Sequence, residues 1–157
     1  LIPDGKNWRE VVRLGWKFDG PDRPKTKCGT ILKQLGLIVP VGKGVVTQIM
    51  QLCEENFVRF PAFRLSFNVS YLQILDPVFF DYIQDAMHLY NVPGKNIMIE
   101  LTETHFDEMP DYLDRFIHRC EKVGISFVLD DFGTSYSSLQ LLLQYPADLI
   151  KLDRTLM

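Results

Sequence analysis

Asn68, Glu100, Asp130, Asp131 and Lys151 each stand where a short apolar run of this chain ends. Asp130 and Asp131 are adjacent and follow the run Ile125-Ser126-Phe127-Val128-Leu129. Lys151 follows Leu149-Ile150, twenty-one residues after Asp130. Carboxylate and amide oxygens are hard ligands that suit Mg²⁺ or Mn²⁺. No His or Cys spacing suits zinc. Two such ions about 4 Å apart recur in phosphodiester cleavage, where they activate water and neutralise charge on the phosphoryl group. Lys151 would orient the water or hold a phosphate oxygen. Turn and N-cap chemistry before Ser137-Ser138 accounts for one Asp, not for two after five mostly apolar residues. Glu100, inside Ile97-Met98-Ile99-Glu100-Leu101, is costly to bury unless it meets a cation. Glu103 either joins this group or braces the neighbouring loop. His88 and His118 fall on helical stretches and read as surface residues; His105, after Thr104, is a lesser candidate.

These residues need strands to position them. Residues 41–58 carry Val45, Val46, Ile49, Met50, Leu52 and Cys53 at helical spacing. Residues 63–70 alternate as a strand. Asp76-Pro77 is expected to open a helix running to about Tyr90, with Asp76 as N-cap. A strand at 97–101 and a helix from Pro110 to Val123, closed by Gly124, come next. The strand 125–129 is expected to stop at Asp130. A helix over 137–144 and a strand at 149–152 complete a β-α-β-α-β-α-β order. Before it, Trp8 to Trp16 reads as a possible strand, 19–27 as loop, and Ile31 to Leu37 as a short helix ended by Gly36. Near-continuous apolar strands suit a parallel sheet covered on both faces. A (β/α)8 barrel and an open doubly wound sheet both fit. No GxGxxG loop follows a strand, and four successive strands carry polar residues at their carboxyl ends, which favours the barrel.

Bulk properties narrow the partners. The 157 residues suit one domain, and 46% are hydrophobic and 24% charged. A net charge of −3 offers no basic excess for long DNA or RNA. Cys28, Cys53 and Cys120 are scattered and odd in number, so a disulfide framework is not expected and a reducing, cytoplasmic setting fits. No apolar run reaches the length of a membrane span.

Leu129-Asp130-Asp131-Phe132-Gly133-Thr134-Ser135-Tyr136-Ser137-Ser138-Leu139 resembles the DDFGTGYSSL signature of bacterial EAL domains, the cyclic di-GMP phosphodiesterases. Ile99-Glu100-Leu101-Thr102-Glu103 is similar to the family's E-x-T-E strand. Phe67-Asn68-Val69-Ser70 is similar to its N-x-S strand, and Ile150-Lys151-Leu152-Asp153 to its I-K-[LI]-D strand. The order and spacing agree from about residue 31 to 157. The resemblance implies a TIM-like (β/α)8 barrel that linearises cyclic di-GMP to pGpG with two Mg²⁺ or Mn²⁺ ions. It implies Asn68, Glu100, Asp130 and Asp131 as metal ligands, Lys151 as assistant to the attacking water, and Glu103 as a brace of the Asp130-Asp131 loop. It also implies association with sensor or GGDEF domains and a possible homodimer.

The departures are specific. The Glu-Ala-Leu that names the family is best matched by Glu10-Val11-Val12, which makes Glu10 the expected metal ligand. The phosphate-binding arginine expected four residues later falls on Leu14, so Arg13 is the nearest candidate substrate contact; Asp153 is another. Ser135 stands where a second glycine is usual. A whole barrel takes about 250 residues. Residues 1–157 are therefore read as one EAL-type domain, truncated or with stretches of chain missing, holding about strands 2 to 6. The expectation is a phosphodiesterase whose parent is active and whose fragment is not. The alternative is a degenerate EAL domain that senses cyclic di-GMP, or serves as a scaffold, without hydrolysis; Leu14 and Ser135 favour it.

Overall fold

A computed structural model of the chain describes residues 32–102, 110–132, 142–145 and 147–152, with the backbone alone at 11–13, Thr102, Pro110 and Asp131. Five parallel strands form one sheet: β1 (Val11–Arg13), β2 (Arg64–Val69), β3 (Ile97–Thr102), β4 (Ser126–Phe132) and β5 (Leu149–Leu152). Their spatial order is β1-β2-β3-β4-β5, the order of the chain. A doubly wound sheet reverses direction at a switch point, whereas a barrel winds one way. The unreversed order is that of a partial barrel, as expected. Among the described residues, no helix is long and apolar enough to cross a membrane.

Among the described residues, the longer helices between the strands are α1 (Ile38–Phe57), α2 (Tyr71–Leu75), α3 (Phe79–Leu89) and α4 (Pro110–Lys122). Successive strand residues point to opposite faces. Leu65, Phe67, Val69, Ile97, Ile99, Leu101, Phe127 and Leu129 face the helices. They pack there with Val46, Ile49, Met50 and Cys53 of α1, Phe79, Phe80 and Ile83 of α3, and Leu113, Phe116 and Ile117 of α4. Each such side chain contributes about 1.5–3 kcal/mol through burial. Phe80 and Phe116 meet edge to face, centroids 5.7 Å apart, and join α3 to α4. The registers Asn68↔Glu100↔Val128 and Thr102↔Asp130 put the remaining strand positions on the barrel's inner face.

The structure moves several expected boundaries. Helix α1 starts at Ile38, three residues early, because Pro40 lies in the first turn, where its missing N–H has no partner to lose. Asp76 caps the turn leading into the next helix, as expected, but the regular helix begins two residues later than Pro77. Asp76, before a proline, is held extended (φ −71°, ψ 118°) and closes α2. Its carboxylate accepts the Val78 N–H at 3.0 Å, and α3 begins only at Phe79. Strand β4 does not stop at the carboxylates but runs on through Asp130 and Asp131 to Phe132, because β5 pairs with it there. Gly124 closes α4 as expected, at φ +78°. The Ile125 N–H returns to Cys120 O and the Gly124 N–H to Glu121 O, a Schellman end that only a left-handed residue permits. Of the expected helix over 137–144, residues 142–144 are helical; the rest lies outside the described residues.

Candidate functional site

Glu100 lies near the carboxyl end of β3 with no exposed surface. Its Oε1 forms an ion pair with Lys151 Nζ, which reaches from β5 across β4. Val128 is the register partner of Glu100 on the intervening strand. Lys151 is the cation that a carboxylate in so apolar a run requires. Removing Lys151 would leave the fully buried Glu100 carboxylate uncompensated, at a cost of about 3–5 kcal/mol.

Asp130 is 4% exposed, and its Cα pairs with Thr102 at the end of β3. The pairing of β4 with β5 passes from Leu129↔Ile150 to Phe132↔Leu152. Asp130 and Asp131 therefore share the span that Lys151 alone occupies on β5. Such a two-against-one bulge turns a strand locally, and bulges of this kind cluster beside active sites. Asp148 sets where β5 begins: its Oδ2 accepts the Phe127 N–H at 2.8 Å, and its own N–H donates to Phe127 O at 3.0 Å.

Asn68 pairs in register with Glu100 and is exposed at the carboxyl end of β2. The chain beyond it is anchored by Gln73. The Ser70 N–H donates to Gln73 Oε1 at 2.7 Å, and Gln73 Nε2 donates to Ile38 O at 3.2 Å. Gly42 of α1 makes room for that amide, since a Cβ there would lie 1.8 Å from Nε2. Sequence reasoning missed this anchor. Its signal was Ser70-x-x-Gln73, the spacing of a capping box.

The other expected site residues are only partly placed. The Arg13 backbone lies in β1, in register with Ser66, two residues short of Asn68. Asp131 has its backbone in β4. Glu10, Glu103, His105, Ser135 and Asp153 lie outside the described residues. His88 and His118 are exposed. Cys53 and Cys120 are free and buried, and burial pushes the Cys53 thiol up to about 12 and raises that of Cys120. Neither is poised as a nucleophile. A cavity of about 30 Å³ lies between the sheet and α4, lined by Leu101, Phe116, Cys120 and Phe127 among others. It is on the helix side and has room for water only.

Among the described residues no three His, Cys, Asp or Glu side chains gather as a metal-holding group. Glu100 and Asp130 are two carboxylates on one inner face, and Asn68 adds an amide oxygen beside Glu100. That donor chemistry fits a hard divalent cation, with the described residues supplying part of its shell.

Comparison with known proteins agrees. The chain is 31% identical over 155 residues to the cyclic di-GMP phosphodiesterase PdeR of Escherichia coli (strain K12), a match covering 94% of this chain and 23% of that protein. The chain thus spans about a quarter of that relative's length. Its fold is similar to the PaMucR phosphodiesterase in its c-di-GMP complex, with a TM-score of 0.73 and 25% identity over 83% of this chain and 56% of that one. It is also similar to Klebsiella pneumoniae BlrP1 in its manganese/cy-diGMP complex, with a TM-score of 0.55 and 26% identity over 59% of this chain and 24% of that one. The EAL domain model matches residues 17–157, and the chain belongs to the EAL domain family.

Proposed function

We infer that the protein carrying this chain hydrolyses cyclic di-GMP to linear pGpG with two bound Mg²⁺ or Mn²⁺ ions. The observation that carries this reading is the buried Glu100, paired with Lys151 and flanked in register by Asn68, at the strand ends where Asp130 also lies. The PdeR, PaMucR and BlrP1 matches support the substrate and, for BlrP1, a manganese ion. Asn68, Glu100, Asp130 and Asp131 would hold the cations, with Glu10 completing the set. When bound, the ions would supply Lewis acidity toward water and charge neutralisation at the phosphoryl group. Lys151 then orients the attacking water or holds a phosphate oxygen, and Glu103 braces the Asp130-Asp131 segment. Arg13 and Asp153 are the proposed substrate contacts. The water oxygen bonds to phosphorus as one ring P–O bond breaks, the departing oxygen takes up a proton to become a hydroxyl, and the ring opens to the linear dinucleotide.

The test is incubation of the full-length protein with cyclic di-GMP and Mn²⁺, following pGpG. Product is expected, and Asp130→Asn is expected to abolish it. Micromolar binding without product would overturn hydrolysis in favour of a sensing role, the reading that Leu14 and Ser135 favour. Neither binding nor product would leave a scaffold.

A further inference from the structure

Glu100 is the carboxylate that the proposed function assigns to a divalent cation, and its Oε1 is already engaged by Lys151 Nζ. The carboxylate has no exposed surface, while the lysine side chain is 22% exposed. An ammonium and a divalent cation cannot both sit on one carboxylate oxygen, since like charges within about 4 Å repel strongly where the dielectric is low. Lys151 has a way out. It stands on β5 opposite the extra residue of β4, and its charge ends a flexible four-carbon stem. Pairing across two strands makes this an exchangeable contact, unlike the backbone bonds that hold the sheet.

The geometry points to Lys151 as a resident counter-ion: it occupies the cation position on Glu100 in the metal-free protein and gives it up when metal binds. The inference rests on the metal-dependent reading above. It has two consequences. The buried charge of Glu100 stays compensated before metal arrives, so the ends of β3, β4 and β5 keep their arrangement. Lys151 Nζ becomes free for a phosphate oxygen or water only in the loaded site, which ties its part in the chemistry to loading.

The experiment is a Mn²⁺ titration by calorimetry, with melting in EDTA and in Mn²⁺, on full-length wild type, Lys151→Met and Lys151→Arg. Lys151→Met is expected to melt several degrees lower in EDTA and to bind Mn²⁺ at least about tenfold more tightly, because the competitor is gone. A Lys151→Met protein that folds only with Mn²⁺ supports the inference equally, as does one that binds Mn²⁺ where wild type does not. Lys151→Arg keeps the charge and is expected to bind Mn²⁺ no more tightly than wild type; it decides the matter if Lys151→Met does not fold at all. Equal or weaker Mn²⁺ binding by Lys151→Met, with wild type binding normally, overturns the inference and leaves the proposed function standing. No Mn²⁺ binding by any of the three overturns both.

Discussion

The two ends of β3 each bury a polar side chain, and they do it differently. Asn96, just before the strand, is neutral and donates through Nδ2 to the backbone carbonyl of Phe63, with Pro61 O at 3.5 Å. It ties the start of β3 to the segment leading into β2. Glu100, near the other end, is charged and forms an ion pair with a long, flexible side chain from β5. Backbone carbonyls cannot move without unfolding the sheet, whereas a lysine can. In a barrel the amino end of the strands serves stability and the carboxyl end serves chemistry. Asn96 and Glu100 stand four residues apart along the chain, one in a structural bond and the other in the proposed site.

Glu100→Gln should therefore separate the ends most sharply. Phosphodiesterase turnover and Mn²⁺ binding should fall by about 100-fold or more, the scale seen when metal sites lose supporting groups. Melting in EDTA should change little, since the neutral amide no longer needs the lysine. A large stability loss with turnover retained would reverse the assignment of the two ends. Gly42→Leu comes next. Its side chain must displace Gln73 and with it the Ser70 anchor behind Asn68, at a cost of about 1–3 kcal/mol in denaturant melts. Mn²⁺ affinity should weaken as well; loss of stability alone would show that the anchor does not position Asn68.

Asn96→Ala should cost about 1–3 kcal/mol by leaving the Phe63 carbonyl unmet, with the KM and kcat of the folded fraction unchanged. The smallest effect concerns Cys53. Burial raises its folded pKa from 9.0 to about 12, so its stabilising contribution is complete below pH 9 and is lost as pH rises toward 12. At pH 8 the native protein should leave Cys53 unalkylated by iodoacetamide while the urea-unfolded chain reacts. Rapid native alkylation would show that this part of α1 opens.

Much of this was legible in the residues. The alternation of Leu65-Ser66-Phe67-Asn68-Val69 marked β2 and both its faces, because a strand has a period of two. The isolated Glu100 in an apolar run announced a buried cation. Gly124 announced the end of α4. The start of α3 was legible to within two residues: Asp76 caps the turn before it in the extended conformation that both a cap and a following proline favour, and the regular helix begins at Phe79. The continuation of β4 through Asp130 and Asp131 was not legible, because an edge partner twenty residues away decides whether two acids end a strand or belong to it.

The sequence by itself determined the ligand chemistry, the strand-helix alternation and the family, because side-chain type and periodicity are local properties. Only the tertiary structure decided which cation meets Glu100, that the sheet winds without reversal, and that the backbone of Asp130 and Asp131 lies opposite Lys151 in a bulge. Those depend on register between strands far apart in the chain, which no local pattern encodes.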